Sequence, residues 1–118
     1  MRADAAYHLG IAYDRVGRTA DAETSLENAL RLDPKLDAAL LYVGMLRERR
    51  RDWQGAGRAY LDYLGAHPHS AAALLRFGLS AHKAGRADVA RQYLEKAIAA
   101  SPRSAEAVEA RKFLVMWE

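Results

Sequence analysis

Apolar and small residues recur along the chain with the spacing of an α-helix. Ala6, Leu9, Gly10 and Tyr13 are three or four positions apart, which places them on one helical face. A second set with this spacing consists of Ala22, Leu26, Ala29 and Leu30. The stretch 16–19 between the two sets contains a glycine and is long enough only for a tight turn. The pattern therefore predicts two antiparallel helices.

The same arrangement returns every 34 residues. The positions that mark this period are Pro34, Pro68 and Pro102; Gly10, Gly44 and Gly78; and Ala22, Ala56 and Ala90. Proline ends a helix because its ring removes a backbone donor, and Ser70 and Ser104 suit the N-caps of the helices that follow. We therefore divide the chain into repeats 3–36, 37–70 and 71–104, with a helical remainder at 105–118.

The periodic glycines predict close contact between the two helices of each repeat. A glycine inside a helix costs about 1 kcal/mol relative to alanine, so three in phase indicate a compensating gain. We expect each glycine to face the periodic alanine of the second helix, small residue against small residue.

This unit resembles the tetratricopeptide repeat. The matching residues of the first repeat are Leu9, Gly10, Tyr13, Gly17, Ala22, Leu26, Ala29 and Pro34, and those of the third are Leu74, Phe77, Gly78, Gly85, Ala90, Leu94, Ala97 and Pro102. The second repeat diverges most, with Arg47 in place of the tyrosine and Arg51 in place of the turn glycine. The resemblance implies an all-α protein: a right-handed α-solenoid of three helical hairpins and a capping helix, seven helices in total.

The two ends of the array differ. In the segment 105–118, Arg111 and Lys112 replace a large apolar residue and a glycine, so we interpret it as a capping helix. The first repeat opens at Ala3 without an equivalent cap. This favours either a piece of a longer protein or an array that covers its first helix by self-association.

Composition narrows the class of protein. Hydrophobic residues make up 51% of the 118, and the absence of cysteine excludes disulfides, thiolate metal sites and cysteine nucleophiles. The N-terminus lacks a signal-peptide core, and no window approaches a membrane span. We expect a soluble protein, cytoplasmic or part of a larger one, although the sequence assigns no compartment.

Candidate chemistry is sparse. Gly55 and Gly57 are followed by Tyr60 instead of the third glycine of a nucleotide-binding loop, and no strand precedes them. His67 and His69 flank a proline without enough neighbouring ligands for a metal. We therefore expect neither an enzyme nor a bound cofactor or metal.

One charge run, 47–51, contains four arginines, although the net charge is only +3. The run ends a predicted helix, where cations complement the helix dipole, and it lacks a series of aromatic platforms. We expect no nucleic-acid binding. Trp53, which begins the next helix, is interpreted as a packing residue.

A candidate binding surface lies on the first helix of each repeat, away from the face that packs within the hairpin. Its predicted apolar wall is Tyr7, Ile11, Leu41, Tyr42, Met45, Leu75 and Leu79. Its predicted rim is Asp14, Arg15, Glu48, Arg49, Arg76, His82 and Lys83. An apolar stripe with a charged rim suits a peptide or partner segment. The family's carboxylate clamp is not matched. Among the positions of that clamp, only Arg76 carries the expected residue type.

The alternative function is head-to-tail self-assembly. The first repeat has four basic and six acidic residues, whereas the third has six basic and two acidic residues. Opposite charge at the two ends of the array favours contact between copies.

Overall fold

The computed structural model describes residues 1–117, which form seven α-helices and no strand. The helices are α1 (Ala3–Arg15), α2 (Thr19–Leu32), α3 (Asp37–Arg49), α4 (Trp53–Ala66), α5 (Ala71–Lys83), α6 (Ala87–Ala100) and α7 (Ala105–Met116). This is the all-α architecture that the 34-residue period predicts. None of these helices is long and apolar enough to cross a membrane.

The helices stack in chain order into an elongated α-solenoid of 46 × 24 × 21 Å. The pairs α1–α2, α3–α4 and α5–α6 form hairpins, and the second helix of each hairpin also contacts the first helix of the next one. The final helix, α7, packs against both α6 and α5. Hydrogen bonds also join α1 to α3 and α3 to α5, so the first helices of the hairpins line one face of the molecule. We call it the concave face, because first helices line the concave side in the repeat family that the sequence resembles.

Helix boundaries follow the sequence signals. Ser70 and Ser104 cap α5 and α7 as predicted, because each hydroxyl accepts a hydrogen bond from a backbone N–H three residues later, at 3.3 and 3.0 Å. Asp52 caps α4 in the same way at 3.0 Å. The second helices end at Leu32, Ala66 and Ala100, two residues before each periodic proline.

The periodic glycines lie at the helix contact as predicted, but their neighbours are larger than expected. A Cβ on Gly10 would lie 2.7 Å from Leu26, and one on Gly78 would lie 2.9 Å from Leu94. A Cβ on Gly44 would lie 2.5 Å from the Tyr60 ring. Gly10 and Gly78 do face the periodic alanines, whose carbonyl oxygens would lie 3.2 Å from the added Cβ atoms. The nearest atoms, however, belong in all three repeats to a large side chain four residues after the alanine, so the contact is not one of small residues alone.

The turn between the two helices of each hairpin contains one residue in the left-handed region. Gly17 and Gly85 occupy it in the first and third hairpins, with φ of 82° and 85°. Arg51 takes the equivalent place in the second hairpin with φ of 62°. Side chains with a Cβ are disfavoured there, so this turn is strained at Arg51.

The buried side chains form two clusters. One, around Leu26 and Val43, joins the first two repeats, and the other, around Leu74 and Phe77, joins the last two repeats and α7. Tyr60 is fully buried in the second cluster, and its hydroxyl has no hydrogen-bond partner. Burial raises the pKa of this phenol above its ordinary range.

Candidate peptide-binding groove

The predicted apolar wall runs along α1, α3 and α5 but is unevenly exposed. Met45 is 37% exposed, and Ile11 and Leu41 are half-buried. Leu75 is only 6% exposed and belongs to the core cluster of the last two repeats. The wall is therefore open beside α1 and α3 and becomes part of the core at α5.

Helix α7 causes this change, because it lies against α5 on the concave side. Between the two helices is a pocket of about 230 Å³ whose apolar floor includes Leu75 and Leu79. Arg76 borders it on α5, and Glu106 and Glu109 border it on α7. The two glutamates form no ion pair with any residue from 1 to 117. The groove thus ends in a pocket with an apolar floor and an acidic edge.

The rim residue Asp14 is bound by the next repeat. Arg49 donates two hydrogen bonds to its carboxylate at 2.9 and 3.0 Å, and the Tyr42 hydroxyl donates a third at 2.5 Å. The Arg49 guanidinium, followed by the Tyr42 hydroxyl, lowers the pKa of Asp14. The same bond raises the pKa of the Tyr42 phenol. Three predicted site residues are thus brought together, and their polar groups bind one another.

A second bridge of this kind joins repeats two and three. Glu48 accepts a hydrogen bond from Arg76 at 3.1 Å and another from the Ser80 hydroxyl at 3.3 Å. Asp14 and Glu48 occupy equivalent positions in their repeats, as do their donors Tyr42 and Arg76. The rim therefore consists of side-chain hydrogen bonds between consecutive repeats, and these bonds fix the relative orientation of neighbouring hairpins.

The remaining rim residues are not all on the groove. His82 stacks on Trp117 with ring centroids 3.9 Å apart and ring planes 2° apart, so this residue contacts the end of the chain. The Lys83 ammonium lies 6.0 Å from the centroid of Trp53, on the side of α5 away from the groove. Arg15 is exposed at the end of α1.

The arginine run is largely occupied by ion pairs. Arg47 contacts Glu23 and Glu27, both at 3.3 Å, and Arg50 donates two hydrogen bonds to Glu23 at 2.9 Å. The Arg50 guanidinium has the larger part in lowering the pKa of Glu23, and Arg47 adds to it. These bonds link α2 to α3, so the run that resembles a polyanion site is a contact between repeats.

Sequence reasoning missed the polar contacts between repeats, although a signal for them exists. The acidic residues Asp14 and Glu48 share one phase of the repeat, and one hydrogen-bond donor of each, Tyr42 and Arg76, shares another. The stacking of His82 on Trp117 has no such signal, because it occurs only once. In the described part of the chain, no cluster of three or more His, Cys, Asp or Glu side chains could hold a metal ion.

One face of α1 lacks the cover that its equivalents have. Leu9 is 37% exposed, whereas the equivalent Val43 and Phe77 are 1% and 5% exposed. The second helix of the preceding repeat covers the latter two, and residues 1–117 contain no helix in that position for α1.

The geometry agrees with comparisons to known proteins. A family model described as tetratricopeptide repeat matches residues 7–71 and 44–105, and the chain therefore belongs to the tetratricopeptide repeat (TPR) family. Proteins of this family are generally non-enzymatic scaffolds for interactions between proteins. No curated protein sequence matches the chain.

Several solved structures share the fold. MamA is 25% identical with a TM-score of 0.80, over 89% of this chain and 57% of MamA. YrrB, described as a TPR protein with an unusual peptide-binding site, is 22% identical with a TM-score of 0.84, over 95% of this chain and 58% of YrrB. The N-terminal domain of stress-induced protein-1 from C. elegans is 15% identical with a TM-score of 0.81, over 93% of this chain and 92% of that domain. The chain thus spans less than two thirds of the MamA and YrrB chains.

Proposed function

We propose that this chain binds a peptide or partner segment along its concave face. The observation that carries the proposal is the set of partly exposed apolar side chains Ile11, Met45 and Leu79 on the first helices of the three repeats, the last of which lines the pocket between α5 and α7. Half-exposed apolar side chains in a row supply contact area, and a pocket holds one anchoring side chain. The related fold of YrrB has a peptide-binding site, which supports this use of the architecture.

The charges around the groove define the preferred segment. Arg49 binds Asp14 through both terminal nitrogens, and Arg76 binds Glu48 through one, so each guanidinium is already partly neutralised by a carboxylate of the neighbouring repeat. The pocket edge instead carries Glu106 and Glu109. We therefore expect an apolar anchor followed or preceded by a basic residue, because an ammonium or guanidinium complements the acidic edge.

The experiment is a peptide selection followed by titration. Peptides enriched from a random displayed library on the wild-type chain are measured by calorimetry against Met45→Glu and the matched variant Leu32→Glu. Both substitutions fall at exposed apolar positions, since Leu32 is 50% exposed at the end of α2, but only Met45 lies on the wall. We expect at least tenfold weaker binding for Met45→Glu and unchanged binding for Leu32→Glu. Equal affinities, or failure to enrich any peptide, would contradict the proposal.

The choice of Met45 follows from burial. Leu75 belongs to the core, so a glutamate there changes stability as well as the pocket floor. A loss of binding in a Leu75 variant therefore has two explanations, whereas a loss in Met45→Glu has one.

Self-association is the second candidate, and the uncovered face of α1 favours it. A helix of another copy would bury Leu9 as α2 buries Val43. If this contact forms, light scattering of the wild-type chain shows a mass that rises with concentration, and Leu9→Glu restores the monomer mass. A monomer at high concentration and low salt contradicts it.

A further inference from the structure

A second pocket lies on the opposite side of α5 from the groove. It occupies the crease between α4 and α5, has a volume of about 260 Å³, and is bordered by Trp53 and Leu61 on α4 and by Phe77 on α5. Phe77 and Leu75 are two residues apart, or roughly 200° around the helix axis. The two pockets share no residue, so a ligand of one leaves the other accessible.

This crease differs from its equivalent in the preceding repeat in the side chains that line it. The equivalent crease between α2 and α3 also holds a pocket, of about 460 Å³, but charged side chains border it, and Arg47 and Arg50 bind Glu23 there. The residues that take these three places in the second crease are Ala81, Ala84 and Gly57. All three places lack a long side chain, and Trp53 and Leu61 take the places of the polar residues Thr19 and Glu27 of the first crease. The pocket is the same crease without its intramolecular ion pairs.

Trp53, interpreted from the sequence as a packing residue, forms part of the wall of this pocket. This side chain is half-buried, but it belongs to neither core cluster and instead forms one side of the cavity. Leu61 is 42% exposed on the same helix. The Trp53 indole and the Leu61 side chain lie beside the buried Phe77 ring and form an apolar surface with room for one side chain. The cavity volume is smaller than that of a drug-sized pocket.

The charges at this pocket have one sign. Arg58 and Arg86 line it, and Lys83 lies over the Trp53 ring. Within residues 1–117 none of these three cations forms an ion pair. In the first crease the arginines have Glu23 and Glu27 as internal partners, whereas no carboxylate among the described residues lines this pocket. Carboxylates from outside the chain would complete the same kind of contact.

We propose that this pocket binds an acidic peptide segment, with one apolar side chain seated between Trp53 and Phe77 and flanking carboxylates on Arg58 and Arg86. A peptide is favoured over single-stranded nucleic acid for two reasons. The cations are a local group, because the neighbouring Arg47 and Arg50 are already neutralised. The Lys83 ammonium also lies over one face of the indole, 6.0 Å from the ring centroid, where a stacked base would have to displace it. The ligand chemistry differs from that of the groove, whose pocket has an acidic edge.

The test uses a capped pentapeptide of one leucine between two pairs of aspartates, titrated into the ¹⁵N-labelled chain. The two tryptophan indole N–H signals are assigned with a Trp117→Phe variant, so that the Trp53 signal reports on the pocket. We expect this signal to shift with saturation, and the peptide to bind about tenfold more weakly when its leucine is replaced by alanine. The analogue with lysines in place of aspartates is expected to leave the signal unchanged.

The matched variants separate this pocket from general charge effects. Arg58→Glu with Arg86→Glu is expected to weaken binding at least tenfold, whereas Arg91→Glu with Arg103→Glu changes the net charge equally at exposed positions outside the pocket and is expected to have little effect. Circular dichroism confirms that both double variants fold. An unshifted Trp53 signal at millimolar peptide, equal losses in both double variants, or tighter binding of a short single-stranded oligonucleotide than of the peptide would each overturn the proposal. Shifts confined to the α5–α7 pocket would also overturn it.

Discussion

Replacing Gly44 with alanine would place a methyl group inside the contact between α3 and α4. The new Cβ would lie 2.5, 2.9 and 3.0 Å from three atoms of the Tyr60 ring, whereas ordinary contacts of this kind are 3.4–4 Å. Tyr60 is fully buried, so its ring cannot turn away without moving its neighbours. Overpacking of this degree costs up to about 3 kcal/mol, and the better helix propensity of alanine returns about 1 kcal/mol. We expect a net loss of about 2 kcal/mol.

Gly65 provides the matched control for this change. It is the last but one residue of α4, with nothing within 4 Å of the position that a Cβ would take, so only the propensity gain applies. Gly65→Ala is expected to raise the free energy of unfolding by about 0.5–1 kcal/mol. The two variants, which have the same composition, should therefore differ by about 3 kcal/mol, or roughly a hundredfold in the unfolding equilibrium.

The assay is urea denaturation followed by far-ultraviolet circular dichroism, with both variants and the wild type measured side by side. The order predicted for the denaturation midpoints is Gly65→Ala above wild type and wild type above Gly44→Ala. If Gly44→Ala is as stable as Gly65→Ala, the periodic glycines are not required for close helix contact. Close contact between the helices would then no longer explain why glycine recurs every 34 residues.

Three further predictions concern stability. Arg51→Gly relieves the left-handed turn and should raise the denaturation midpoint, by about 0.5–1 kcal/mol in free energy of unfolding. Tyr60→Phe removes a buried hydroxyl that has no partner, so it should cause no loss and a gain of up to about 1 kcal/mol; a large loss would show that the hydroxyl is bonded. Arginines lower the pKa values of Asp14 and Glu23, so the unfolded chain binds these protons at higher pH than the folded chain. Stability should fall as the pH drops through about 4.5, the ordinary pKa of a glutamate, and about 3.8, the ordinary pKa of an aspartate. The fall should be smaller in the double variant Asp14→Asn with Glu23→Gln.

The helices and their pairing were predictable because the signals are local and repeated. A proline, a turn glycine or a serine cap acts on backbone within a few residues, and the periodic glycines recur three times in phase. The identity of their neighbours was not predictable to the same degree. Whether Gly44 meets the methyl group of Ala56 or the ring of Tyr60 depends on how far α3 slides along α4, which the spacing of residues leaves open.

The helix face that carries the candidate groove residues could be read from the sequence, but the burial of each residue could not. Helical geometry places Met45 and Leu75 on the same side of their helices, yet only the position of α7 decides that the former is exposed and the latter buried. The same limit applies to Trp53. Its place at the start of α4 is evident from the sequence, whereas the open crease beside it depends on small residues of the next repeat coming together with Gly57.

A map of where a selected peptide binds decides whether the concave face is the binding surface. Backbone amide shifts of the ¹⁵N-labelled chain are measured during titration with a peptide enriched on the wild type. We predict that the largest shifts fall on α1, α3 and α5 around Ile11, Met45 and Leu79, with α7 residues bordering the pocket among them. Shifts concentrated on the outer faces of α2 and α6 would contradict binding along the concave face.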